Sequence, residues 1–422
     1  MKAYQLPTAS KWLMLFSITM FIFSSCKKEI DQPSNQLEIS SAANKGNNEN
    51  RIYVSDISQF YAAVNDPANA NSKIVLAPGT YTLNANHPNA GRIELLENMD
   101  LQGQPGHPEQ VIIDASALPA TSFNPPLNFP TARTGAIRIG RGANTIEWLT
   151  VLGNSSQSAL SVIDADLVST PVAHLRIAHC IVTGGRIGIN LRNPSLASNG
   201  RILEAEIADN EIKENLVEFG QGIELQNAAG ANGAIIRVTL HGNYVHGNKV
   251  GMGAWNNNSV NTVTNSNSIS IQSNADRFDE NGIGIFLNAG LNQGTTTAAN
   301  ENFLHFEAQG TSIQNNIGVP PPYLFNPSTC GIYAAGGLSL RGGAADASKN
   351  SLEISLWGCS ISGNQGRDIT AYGAFSNSAS LAGTYNVVNI HLHGVSANAT
   401  VNATPSFPAE PAGTNTVNIF RQ

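Results

Sequence analysis

Three stretches of the chain lie over one another: residues 206–225 (EIADNEIKENLVEFGQGIEL), 239–255 (TLHGNYVHGNKVGMGAW) and 273–288 (SNADRFDENGIGIFLN). Each carries a polar turn residue (Asn210, Asn243, Asp276) and an apolar residue two positions later (Ile212, Val245, Phe278). An asparagine follows five after the turn residue (Asn215, Asn248, Asn281), and then a Gly-Ile or Gly-Met pair (Gly222-Ile223, Gly251-Met252, Gly284-Ile285). Successive turn residues stand 33 residues apart. A fixed period of that size marks a solenoid, in which each repeat buries its apolar face only against its neighbours.

The template extends in both directions. Cys180, Val182, Gly185 and Gly188-Ile189 fit it upstream, preceded by Leu149, Val151 and Asn154. Downstream it is met by Thr311, Ile313, Asn316 and Gly331-Ile332, and again by Cys359, Ile361, Asn364 and Ile369. Within each unit apolar and polar residues alternate, which is the period of a strand and not of a helix. Units that all enter in one direction stack like positions about 4.8 Å apart. A column of asparagines at that spacing passes hydrogen bonds from amide to amide, each contributing about 1 kcal/mol net. The glycines suit corners that need a positive φ or a close approach of backbones.

These features resemble the right-handed parallel β-helix proteins of the pectin-lyase-like group, over the chain from residue 52 onward. The resemblance implies an all-β fold, a single solenoid whose open N-terminal end is covered by a short helix. It says less about activity, because the group includes lyases, hydrolases, epimerases, phage tailspikes and adhesins.

Residues 1–25 read as an export signal, with Lys2 and Lys11 ahead of an apolar run from Trp12 to Phe23 too short to span a bilayer. The run ends in Phe23-Ser24-Ser25-Cys26, which resembles a bacterial lipobox and makes Cys26 the expected lipidated N-terminus. Lys27 follows instead of aspartate, so the expected address is the outer membrane or cell surface. Residues 26–50, polar and without periodicity, form the expected tether, and residues 51–422 the β-helix. Removing residues 1–25 takes away two lysines and no acid, moving the formal charge from −7 to −9. No basic stripe is left to hold nucleic acid.

Residues 57–64 (ISQFYAAV) have helical spacing, with Ser55 as the predicted N-cap, and make the expected capping helix. The stretch KIVLAPGTYTL then reads as a strand broken at Pro78-Gly79. Insertions at 191–203, 226–234, 254–267, 288–302, 318–329 and 335–350 all fall after or beside the Gly-Ile strand. Loops crowded along one side usually mark the binding face of a solenoid. Of the cysteines left after Cys26, Cys180 and Cys359 share a template column five coils apart, about 24 Å by strand spacing and beyond disulfide reach. They read as small buried fillers, and Cys330 stands in a different strand. No Cys/His spacing of a metal site occurs, and no cofactor is implied.

Two constellations carry candidate chemistry. The outward column of the Gly-Ile strand reads Asn190, Glu224, Gly253, Phe286 and Tyr333, with Arg192, Gln226, Trp255 and Asn288 two positions on. Arg186, Glu218, Lys249, Arg367 and Asp368 lie at its entry corner. Aromatic faces beside hydrogen-bonding groups are what a sugar ring needs, so Arg192, Glu224, Trp255 and Tyr333 are the expected ligand contacts. A solvated strand with an occasional aromatic is the plain alternative. The second constellation, on the strand after the turn residue, has outward columns Glu211–Tyr244–Arg277 and Lys213–His246–Asp279. Tyr244 and His246 form a candidate Brønsted pair, with cations such as Arg277 to neutralise a uronate carboxylate. The same residues also read as cross-rung charge pairs that support a sheet surface. Asp276, Asp279 and Glu280 offer oxygen ligands for calcium, but Asp276 falls in the turn column, where a carboxylate simply replaces asparagine.

The signatures that the resemblance would require for catalysis are missing. Glycines occupy the corners where polygalacturonases carry their aspartates, and Arg192-Asn193-Pro194 is only a fragment of the pectate-lyase arginine pattern. Of groove carboxylates, only Glu218 and Glu224 are close, both on one coil. The expected function is a surface-anchored lipoprotein that binds a polysaccharide along the groove without catalysis. The alternative is a polysaccharide lyase or glycoside hydrolase using Glu218, Glu224, Tyr244, His246 and Arg277.

Overall fold

Alternation within a 33-residue unit folds it into three strands, as in Ile202–Ala208, Glu211–Lys213 and Gln221–Asn227. Each strand pairs in parallel with its equivalent one coil on: Ala205 faces Val238, Ile212 faces Val245, and Ile223 faces Met252. The computed structural model describes residues 50–119, 135–155, 161–166, 172–193, 200–217, 220–228, 230–257, 264–292, 298–318, 330–339, 347–376, 383–395, 400–407 and 414–422. Among these the strands build a twelve-stranded, a ten-stranded and a nine-stranded sheet around one core, with a small two-stranded pair beside them. The chain is a right-handed parallel β-helix, the hand that twisted strands favour for parallel crossovers.

The centre of each nine-stranded-sheet strand points inward. Val151, Val182, Ile212, Val245, Phe278, Ile313 and Ile361 are all fully buried, one above another. At the corner that follows, a residue in the left-handed region precedes each ladder asparagine. Glu214, Gly247, Glu280 and Asn315 hold φ between 55° and 62°. That conformation turns the next side chain into the corner, so Asn215, Asn248, Asn281 and Asn316 are buried. Asn215 Nδ2 donates to Asn248 Oδ1 at 2.9 Å, Asn248 Nδ2 to Asn281 Oδ1 at 3.1 Å, and Asn316 Nδ2 to Asn364 Oδ1 at 2.7 Å. A second ladder runs Asn210–Asn243–Asp276. A third, not seen in the repeat alignment, runs Asn267–Asn302–Asn350–Asn386–Asn415.

The Gly-Ile glycines owe their place to close approach, not to φ. A Cβ on Gly222 would stand 2.6 Å from the carbonyl oxygen of Gly251, and one on Gly284 2.6 Å from that of Gly331. None of these glycines has a positive φ. Cys180 and Cys359 fill the turn column and Cys330 the start of its strand; all three are buried free thiols. Burial pushes Cys180 and Cys330 up to about 12.

At the N-terminal end helix Ile57–Asn65 buries Phe60, Tyr61 and Val64 against the first coil. Its cap is Asp56, whose carboxylate accepts from Gln59 N, one residue later than the predicted Ser55. Ser55 instead donates its backbone N–H to Gln59 Oε1. Pro78-Gly79 is a corner between sheets: Ser72–Leu76 lies in the twelve-stranded sheet and Gly79–Thr82 in the nine-stranded one.

Asp276 makes the second ladder sensitive to pH. Its Oδ1 accepts from Asn243 N and Nδ2, both at 2.8 Å, and Oδ2 from Ser273 Oγ at 2.7 Å. Desolvation nevertheless wins over these donors and raises its carboxyl above the usual range. A raised carboxyl keeps its proton in the fold after the unfolded chain has lost it, so stability falls as pH rises from about 4. Asp276→Asn keeps the acceptor and cannot ionise. Its melting temperature should match the parent's at about pH 3 and exceed it increasingly toward neutrality. A constant difference across that range would show that Asp276 does not titrate with folding.

Candidate functional site

The ten-stranded sheet aligns Glu94, Arg138, Asp164, Asn190, Glu224, Gly253, Phe286, Tyr333 and Thr370 in one outward column. Arg192, Gln226, Trp255, Asn288, Ala335 and Tyr372 form the next. The face divides at Gly253. On one side it is polar and nearly closed, with Asp164 2% and Glu224 8% exposed. Asn190 Nδ2 donates to Asp164 Oδ1 and Ser161 Oγ, each at 3.1 Å, and Gln221 Nε2 donates to Glu224 Oε2 at 2.8 Å. Burial raises the Glu224 carboxyl, against the pull of the Arg186 and Arg192 guanidiniums and with the push of Asp164.

On the other side the face is aromatic. Phe286 and Tyr333 stack with centroids 5.0 Å apart, Trp255 meets Phe286 edge-on at 5.9 Å, and Tyr372 and Phe375 extend the layer. Here the expectation of open sugar platforms needs correction. Tyr333 is fully buried in a second apolar cluster with Ile283, Leu291, Leu338 and Phe375, and burial pushes its phenol well up. The cause is strand length. Strands of this sheet grow from seven residues (Gln221–Asn227) to ten (Ile283–Asn292, Cys330–Ser339), so part of what reads as insertion is strand. Trp255 and Arg192 keep intermediate exposure, and Glu218 lies outside the described residues.

Polar atoms without partners concentrate on this face. Among the described residues, Asn190 Oδ1, Gln221 Oε1, Trp255 Nε1, Asn288 Nδ2 and Thr370 Oγ1 are buried and make no hydrogen bond. Asp164, Arg138 and Gln221 are site residues that the repeat alignment misses. Asp164 stands 26 residues before Asn190, a shorter coil than the 33-residue period, and only the alternation of SVIDAD (residues 161–166) signals its strand.

The second constellation also comes together, on the nine-stranded sheet. The Tyr244 and His246 rings stack at 4.0 Å, and Arg277 Cζ lies 4.2 Å from the Tyr244 centroid. His246 Nε2 lies 3.1 Å from Glu211 Oε1, to which Lys213 Nζ donates at 2.8 Å. Arg277 Nε donates to Asp279 Oδ2 at 3.1 Å. Burial alone would raise Glu211, but the bonds from Lys213 and His246 outweigh it and hold the carboxyl low. Each charge here is engaged by a neighbour, the pattern of a self-supporting sheet surface. Among the described residues no group of three or more His, Cys, Asp or Glu is placed to hold a metal. Asp276 and Asp279 are both occupied by protein donors.

No family model matches the chain, and no curated protein matches it. Solved structures similar to it include the A-module of the Azotobacter vinelandii mannuronan C-5 epimerase AlgE4. That likeness has 13% identity, a TM-score of 0.41, and covers 86% of this chain and 90% of that one. The AlgE6 A-module from the same organism is similar at 14% identity and a TM-score of 0.33, covering 84% and 95%. The fold assignment rests on the strand register.

Proposed function

We propose that the protein binds a polysaccharide along the outer face of its ten-stranded sheet, without catalysis, and is held at the cell surface by a lipid on Cys26. The observation that carries the binding reading is the concentration of partnerless buried polar atoms on that one face. Buried polar groups are normally satisfied, and the asparagine ladders of this chain show how thoroughly it satisfies them elsewhere. Hydroxyls of a sugar polymer are the partners such groups would take. Trp255, partly exposed at the division of the face, is the entry point, with Glu224 and Arg192 one and two rungs away.

Affinity electrophoresis against a panel of acidic and neutral polysaccharides tests this. Trp255→Ala should weaken binding about tenfold, the 1–2 kcal/mol of an aromatic contact, while His246→Ala should stay within about twofold. The reverse outcome would move the ligand to the nine-stranded sheet. It would favour the second reading, a lyase acting on uronates, which the contact of Tyr244, His246 and Arg277 supports; release of unsaturated products would identify it. For the anchor, Cys26→Ser should remove lipid labelling and shift the protein from the membrane to the soluble fraction, because a polar peptide tether has no membrane affinity of its own. Retention of the variant in membranes would refute lipidation at Cys26.

A further inference from the structure

Asn281 and Asn232 are each followed by glycine. An Asn-Gly pair carries its own reaction, because glycine has no Cβ to shield its backbone nitrogen from the side-chain amide before it. The fold holds the two pairs very differently. Asn232 is exposed, and its side chain makes two long bonds, Nδ2 to Gly230 O at 3.4 Å and Oδ1 from Asn265 N at 3.2 Å. Asn281 is fully buried in its ladder. Its Oδ1 accepts from Asn248 N at 3.0 Å and Asn248 Nδ2 at 3.1 Å, and its Nδ2 donates to Val245 O at 2.9 Å and Asp279 O at 3.1 Å. The Gly282 nitrogen beside it is committed too, donating to Asn248 O at 2.9 Å. Amide carbon and attacking nitrogen are therefore both held by the coil before.

We propose that Asn281-Gly282 is a latent modification site, silent while its coil is closed and deamidated when the coil opens, so that the opening becomes irreversible. In the opened chain the Gly282 nitrogen gives up its proton and attacks Asn281 Cγ. The Cγ–Nδ2 bond breaks and ammonia leaves. Water then opens the resulting five-membered imide at one of its two carbonyls. Cleavage at Cγ leaves aspartate; cleavage at the Asn281 carbonyl carbon leaves isoaspartate, whose backbone runs through Cβ and Cγ. One water is consumed and one ammonia released, with nothing oxidised or reduced. Neither product fits the closed coil. Aspartate puts an oxygen where Nδ2 stood, facing Val245 O and Asp279 O, so a buried acceptor meets two acceptors. Asp276 shows what a ladder carboxylate needs, because Ser273 Oγ donates to its second oxygen at 2.7 Å. Isoaspartate lengthens the backbone by a methylene and shifts Gly282 N away from Asn248 O.

The test is peptide mass mapping of the full protein, aged at mildly alkaline pH in buffer and in concentrated urea. In urea both asparagines should convert at similar rates. In buffer Asn232 should convert measurably, and Asn281 at least about a hundredfold more slowly than in urea, because its reaction waits for a core coil to open. Conversion of Asn281 in buffer as fast as that of Asn232, or none in urea, would overturn the proposal. Asn281→Asp tests the consequence. It should melt below the parent at neutral pH and approach it near about pH 3, where a protonated carboxyl donates to Val245 O. Refolding of the urea-aged parent gives the same reading without a variant: the folded fraction should be depleted of product at 281 relative to the fraction left unfolded. Parent-like melting of Asn281→Asp at neutrality, or equal product in the two fractions, would show that the modified coil closes again and that the opening is not made irreversible.

Discussion

Asn248→Leu should destabilise the protein by about 3–5 kcal/mol, among the largest effects a single side chain produces. Asn248 is 2% exposed and has a ladder asparagine on either side, Asn215 and Asn281. Its Oδ1 accepts from Asn215 N at 3.1 Å and Asn215 Nδ2 at 2.9 Å. Its Nδ2 serves Ile212 O, His246 O and Asn281 Oδ1. Leucine is nearly isosteric and fills the corner, so the loss is polar and not a cavity. It strips the acceptor from two buried donors, at about 1–3 kcal/mol for each group left unsatisfied, and no water reaches a corner closed above and below by its own copies. Because a solenoid's stability is a sum of neighbour terms, a break at a central coil weakens the interfaces on both sides. Denaturant unfolding of parent and variant measures the difference. Equal midpoints would show that the ladder contributes nothing to stability.

The sequence shows this ladder and the inward Val182–Ile212–Val245–Phe278 column because successive coils keep nearly one period there, with steps of 33 residues from Asn215 to Asn248 to Asn281. The Asn267–Asn415 ladder is as regular in space and invisible to the same comparison. It begins where the 33-residue period ends, so its steps along the chain are 35, 48, 36 and 29 residues. Space repeats there while sequence spacing does not.

The site divides in the same way. The order Asn190–Glu224–Gly253–Phe286–Tyr333 is legible because register carries one column into the next. The burial of Tyr333 is not, because it comes from strands that reach ten residues in the coils around it and from Leu291, Leu338 and Phe375 packing on the outer face of the sheet. Asp164 escapes through a shortened coil. Tyr244, His246 and Arg277 are legible as neighbours, yet only their geometry shows that Glu211 and Asp279 already occupy them.

Gly251→Ala should cost about 3 kcal/mol, the upper part of the range for overpacking, although alanine is ordinarily the smallest change a glycine can bear. The position has no positive φ, so backbone conformation alone would accept the methyl group. Contact forbids it. The added Cβ would stand 2.5 Å from the Gly284 carbonyl oxygen and 2.9 Å from Asn281 Nδ2. A flexible side-chain tip could give way, but here the obstacle is the backbone of the next coil, held by parallel pairing on either side at Val250–Ile283 and Met252–Ile285. Relief requires the two coils to part, which stretches those hydrogen bonds and the neighbouring Asn248–Asn281 rung of the ladder. Gly253→Ala is the internal control. Its Cβ would meet side-chain atoms of Gln221 and Trp255 and no backbone of the next coil, so it should cost less than Gly251→Ala. Thermal melting of the two variants side by side decides the matter. Equal stability would mean that coil-to-coil backbone approach is not what holds the glycine column in place.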